Sequence, residues 1–144
     1  MITQYPSRRL QGLSQPIRLE SPMKRSDLET REFGGTGLSV SVVGLGGEGI
    51  LRTHGQEDRA TAVIEKALEV GITYFDCARA YAGSEGYYGR VWAARPALRD
   101  GVFQAGKSAR RSKAGALQDL ETTLETMRID HLDLWQIHDV RTEE

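Results

Sequence analysis

A chain of 144 residues is long enough for one domain with a real hydrophobic core. Its 19 basic and 20 acidic side chains leave a net charge of −1, which gives nucleic acid or an acidic surface no basic face to bind. No apolar run reaches the roughly 20 residues of a membrane span, the N-terminus has no apolar signal core, and a single cysteine, Cys77, excludes an internal disulfide; the expected setting is the cytoplasm.

Residues 1–29 are polar and basic, with Arg8, Arg9, Arg18, Lys24 and Arg25 and prolines at 6, 16 and 22, and read as a poorly ordered leader. Glu20, Asp27 and Glu29 argue against a transit peptide, and a start codon placed too far upstream accounts for the leader better. From Thr30 the pattern changes. Thr30–Phe33 and Ser39–Val42 flank Gly34-Gly35-Thr36-Gly37, the signature of a β-hairpin. Val42-Val43-Gly44-Leu45-Gly46-Gly47 reads as a first buried strand and its exit loop. Those glycines are by themselves ordinary turn chemistry.

His54 falls in a polar loop, Arg52 to Glu57, and reads as solvated. Ala60, Val63, Ile64, Ala67 and Leu68 recur on one helical face, and Gly71 closes that helix. Ile72 to Phe75 is a short strand that sets Asp76 at its C-terminal end, and a loop then carries Tyr81. Ser84 as N-cap and Glu85 in the first turn open a helix that runs to about Ala94 and stops at Arg95-Pro96. Val102–Ala105 is the next strand and delivers Lys107. Leu117, Leu120, Leu124 and Met127 line a third helix, with Asp119, Glu121 and Glu125 turned outward. Leu132–Ile137 is the last strand and ends at His138.

Strand starts near 42, 72, 102 and 132 give a β-α repeat of about thirty residues, and eight such units would make a (β/α)8 barrel of about 250 residues. A doubly wound sheet fits the spacing too. Its phosphate fingerprint is matched only loosely, by Gly44, Gly46 and Gly49, and the following helix starts too late to hold a pyrophosphate.

Asp76, Ala78, Tyr81, Gly83, Ser84, Glu85 and Gly89, with Lys107 and His138 downstream in the same order, resemble the aldo-keto reductase family from about Thr30 onward. The resemblance implies an α/β fold of the TIM (β/α)8-barrel type, here truncated to about the first four β/α units with the hairpin plugging the barrel bottom. It implies an NADP-dependent oxidoreductase that reduces an aldehyde or ketone, with NADPH as cofactor and NADH as the other candidate. Asp76, Tyr81, Lys107 and His138 are its implied catalytic residues, and Gly46, Gly47 and Asp76 its implied cofactor contacts.

The roles follow from the chemistry of carbonyl reduction. Tyr81 gives a proton to the oxygen, Lys107 favours the phenolate left behind, Asp76 keeps the lysine charged and in place, and His138 orients the carbonyl. Singly, each has a plainer reading: a turn cap, a loop aromatic, a solvated lysine, a histidine on a backbone carbonyl. Cys77, one step past Asp76, is expected on the opposite face as buried filler. His131 is expected exposed, Trp92 and Trp135 as packing, and no histidine or cysteine pair has metal-ligand spacing.

Most cofactor contacts in the resembled family come from the second half of the barrel, so the chain is expected to be inactive alone. A small carbonyl substrate is its expected partner, with self-association or a separate C-terminal half completing the barrel. A non-catalytic binding or regulatory subunit with the same fold is the alternative.

Overall fold

The computed structural model describes residues 28–142. Nearly all of the expected leader therefore lies outside the described residues. Strands β1 (Thr30–Glu32) and β2 (Ser39–Ser41) form the antiparallel hairpin. Its turn needs two left-handed residues, supplied by Gly34 and Gly37 at φ +57° and +73°. Then come β3 (Gly44–Leu45), a 3-10 turn at Gly49–Arg52, α1 (Glu57–Glu69), β4 (Tyr74–Asp76), α2 (Ser84–Ala94) and α3 (Pro96–Arg99). β5 (Phe103–Ser108), α4 (Lys113–Met127) and β6 (Leu134–Ile137) complete the described chain.

The four later strands lie side by side in sequence order, all parallel. That order has no reversal point, which is where a doubly wound sheet would bind a dinucleotide. Strands starting at 44, 74, 103 and 134 keep the thirty-residue repeat.

The outward face of the sheet carries the core. Phe75 meets Tyr88 and Trp92 of α2 edge-on, at 6.0 and 5.9 Å between ring centroids. Ile64 and Ala60 of α1 and Met127 of α4 are fully buried in the same cluster. On the inward face, Phe33 leaves the hairpin to stack on Tyr74 and to meet Phe103 at a tilt, with centroids 5.6 and 4.6 Å away. Ser41 and Thr73 exchange two hydrogen bonds of 2.9 Å, each backbone N–H donating to the other's hydroxyl, and lock the hairpin to the start of β4. The hairpin thus sits at the N-terminal ends of the strands.

Three local expectations need correction. The first strand is only Gly44–Leu45, and Val42 and Val43 are half exposed, because β3 has no partner on its outer side among the described residues. Ser84 is not an N-cap: Gly83 takes the cap position, and the Ser84 hydroxyl accepts from the Cys77 thiol at 3.2 Å. Among the described residues the one capping hydroxyl is Ser112, which accepts from the Gly115 N–H at the start of α4. On α4, Leu117 is exposed and Thr123 is buried beside Met127, while Asp119 turns in to accept from the Ser108 hydroxyl at 2.6 Å. Arg95-Pro96 ends α2 as expected, but proline then opens the short helix α3, a position that suits its fixed φ and missing N–H.

Candidate active site

Strand register decides which side chains meet. Asp76 pairs with Ala105, so Lys107, two residues further along β5, lies on the same face one level up. Lys107 pairs with Gln136, and His138 follows two residues later on that face. The ladder continues past β6, where the His138 N–H donates to the Ser108 carbonyl at 2.8 Å. Asp76, Lys107 and His138 therefore converge at the C-terminal edge of the sheet, where barrel enzymes keep their chemistry.

Tyr81 arrives from the loop after β4. That loop does not leave the sheet at once: the Cys77 and Arg79 N–H groups still donate to the Ala105 and Lys107 carbonyls, each at 3.1 Å. A turn then forms as the Tyr81 N–H donates to Ala78 and the Ser84 N–H to Tyr81. Behind it, Arg79 forms an ion pair with buried Glu85, whose other oxygen accepts from the Thr123 hydroxyl at 2.8 Å. These bonds fold the loop back, and Tyr81 is 92% buried, at 8% exposure.

Lys107 forms an ion pair with Asp76, and its Nζ stands 5.1 Å from the centre of the Tyr81 ring. The His138 ring meets the same ring edge-on at 5.3 Å. All four residues named from the sequence are thus brought together. Arg52, which the sequence reading left in a polar loop, also stands over the Tyr81 ring, at 5.1 Å. His54 and His131 are exposed, and Trp92 packs in the core.

The two glycines differ. A side chain at Gly46 would meet nothing within 4 Å, and Gly46 shares with Asp76 the wall of an open groove of about 810 Å³ on the inward face. A side chain at Gly47 would meet the Tyr81 ring at 2.8 Å, the Ser84 hydroxyl at 2.9 Å and the Asp76 carbonyl at 3.0 Å. Gly47 thus has a packing reason of its own: it makes room for the loop that carries Tyr81. The groove runs down to the hairpin, along Phe33 and Val40, and neither Tyr81, Lys107 nor His138 lines it. It is the inside of a barrel wall left open beside β3.

Cys77 stands on the far face of β4, fully buried, and burial pushes its thiol up to about 12 despite the hydrogen bond to Ser84. Burial, with the Asp76 carboxylate near by, also raises the Tyr74 phenol. Among the described residues no group of three His, Cys, Asp or Glu side chains could hold a metal ion, and no helix is long and apolar enough to cross a membrane.

The chain and its fold are similar to known proteins. The chain is 31% identical over 123 residues to an L-galactose dehydrogenase of Arabidopsis thaliana, covering 78% of this chain and 39% of that one. A 6-dehydroglucose reductase of Novosphingobium aromaticivorans is 29% identical over 123 residues, covering 75% and 40%. The fold matches a crystal structure of an aldo-keto reductase from Pseudomonas aeruginosa with a TM-score of 0.70 and 27% identity, over 81% of this chain and 49% of that one. The chain thus spans less than half the length of these relatives. With the aldo/keto reductase family profile matching residues 42–144, the chain belongs to that family and carries part of its TIM-barrel fold.

Proposed function

We propose that this chain carries the carbonyl-reducing centre of an NAD(P)H-dependent oxidoreductase, with Tyr81 as the proton donor. The observation that carries the reading is the Asp76–Lys107 ion pair set against the ring of Tyr81, with His138 at the ring edge. A phenol ordinarily titrates near 10 and is a weak acid at neutral pH. An ammonium beside it favours the phenolate, and a carboxylate holds that ammonium charged and in place. His138 offers a ring N–H to the carbonyl oxygen and fixes its direction toward Tyr81. A bound nicotinamide cofactor supplies the hydride to the carbonyl carbon. Gly46 and Asp76 are the residues that would face it, since the backbone at Gly46 is open where a side chain would stand.

The substrate is a small polar carbonyl compound; the two relatives named for work on sugars support a polyhydroxy aldehyde or its oxidised or reduced partner. Catalysis depends on completing the barrel, because four strands enclose the reacting groups on one side only. A non-catalytic subunit would have no use for the ion pair against Tyr81.

The test is a fluorescence titration of the 144-residue chain with NADPH at several protein concentrations, with assays on a panel of sugar and short-chain aldehydes. Binding that strengthens as the chain associates is expected, with reduction that falls at least 100-fold in Tyr81→Phe. Reduction at an unchanged rate in Tyr81→Phe would remove Tyr81 from the mechanism. NADPH binding with no reduction in the associated chain would favour the regulatory subunit.

A further inference from the structure

We propose that Arg52 is a positioning residue for Tyr81: its guanidinium, held above the phenol ring by Glu48, favours the negatively charged ring that remains once the proton has been given up. The proposal rests on the reading of Tyr81 as proton donor, but its test needs no turnover.

Arg52 is placed and not adrift. It ends the 3-10 turn Gly49–Arg52, which starts from Gly49 at φ +62° and is anchored by the fully buried Leu51. Glu48, four residues earlier, accepts from Arg52 Nη1 with both carboxylate oxygens, at 2.8 and 3.1 Å. This clamp leaves the guanidinium carbon 5.1 Å from the ring centre, the same distance as Lys107 Nζ. Tyr81 therefore has two cations on its ring, each tied to its own carboxylate: Lys107 to Asp76 and Arg52 to Glu48. His138 is the other titratable group against the ring, and Arg79 is engaged by Glu85 behind the loop.

A neutral ring holds a cation within about 6 Å through its quadrupole alone. A phenolate carries a full charge and attracts the same cation more strongly. An apolar side chain at position 52 would cover the ring equally well and would disfavour that charge. Arg52 does the covering with a cation.

Tetranitromethane nitrates the phenolate and not the phenol, so its rate at Tyr81, at fixed pH and located by peptide fragmentation, reports the charged form directly. Arg52→Met is expected to slow nitration of Tyr81 about threefold, the size of one partly compensated charge at this range in a water-like medium. Arg52→Lys should keep most of the rate. If Arg52 only covers the ring, Arg52→Met covers it equally well and leaves the nitration of Tyr81 unchanged, which overturns the proposal; a faster rate does the same. Fully buried Tyr88 is the internal control, since an unfolded variant would nitrate there as well. Should Arg52→Met unfold, the neutral change Arg52→Gln decides in its place, and a rate that does not fall is fatal. None of these outcomes depends on carbonyl reduction, so the two readings stand or fall separately.

Discussion

Asp76 and Cys77 are adjacent in the chain and stand on opposite faces of β4, and the two faces impose opposite conditions. Asp76 pairs with Lys107 in a half-open site, whereas Cys77 is sealed among α2 side chains. With its thiol pushed up to about 12, Cys77 should resist iodoacetamide at pH 8 in the folded chain and react at once in urea. Mass spectrometry after timed labelling checks this; equal rates in both states would contradict the burial. The linkage has a sign. The raised thiol contributes stability that is present in full below its ordinary value near 9 and is lost as pH rises toward 12. Replacing Cys77 with Ala should flatten that alkaline decline. Glu85 makes the second residue-scale case, being 4% exposed and dependent on Arg79 and Thr123. Arg79→Met leaves that carboxylate unpaired and should cost about 1–3 kcal/mol in urea unfolding, since the arginine itself is partly solvated. At this scale the sequence singled out Asp76, Tyr81, Lys107 and His138 through their order in a family pattern, and the structure brings their side chains together. It was silent on Arg52, whose approach to Tyr81 depends on a 3-10 turn inside an ordinary polar loop. Ser84 misled because serine before glutamate is a strong local cap signal, while the turn at Tyr81 hands the cap position to Gly83.

α2 carries two internal glycines with opposite surroundings. A side chain at Gly89 would run into the Thr126 carbonyl and lie 3.1 Å from the Met127 Cα, so Gly89 is what lets α2 close on the end of α4. Gly86 faces open solvent, with nothing within 4 Å. Gly89→Ala is therefore expected to destabilise by about 2–3 kcal/mol through overpacking against backbone. Gly86→Ala should stabilise by about 0.5–1 kcal/mol through helix propensity. Urea midpoints measured side by side would show it, and equal shifts would refute the packing account. Elements as such were legible where periodicity was strong. Ala60, Ile64, Ala67 and Leu68 are buried as their spacing implies, Val63 of the same expected face is exposed, and Gly71 closes α1 at φ +93°. The face of α4 was misjudged because its leucines were counted and its neighbours could not be. Leu117 lies at the exposed start of the helix, and Thr123 is the residue turned toward Glu85.

The whole molecule presents a parallel sheet with two free edges among the described residues, β3 and β6. Val42 and Val43 lie exposed beside the first, and Ile137 and Val140 beside the second. Open parallel edges flanked by apolar side chains invite pairing with another chain. Sedimentation velocity on the 144-residue chain is expected to show association that grows with concentration, and the double change Val43→Lys and Ile137→Lys should suppress it. A monomer at every concentration would contradict that expectation. The repeat of about thirty residues made the barrel type legible, because it belongs to the chain itself.

Because each strand of the sheet pairs with the one made just before it, this fold suits a polypeptide leaving the ribosome. β4 can dock on β3, and β5 on β4, while later residues are still being joined. Asp76 and Lys107 can meet before His138 exists. The cluster of Asp76, Lys107 and His138 around Tyr81 is thus assembled in the order of synthesis, and translation arrested before residue 134 would leave an ion pair beside Tyr81 with its ring edge still bare.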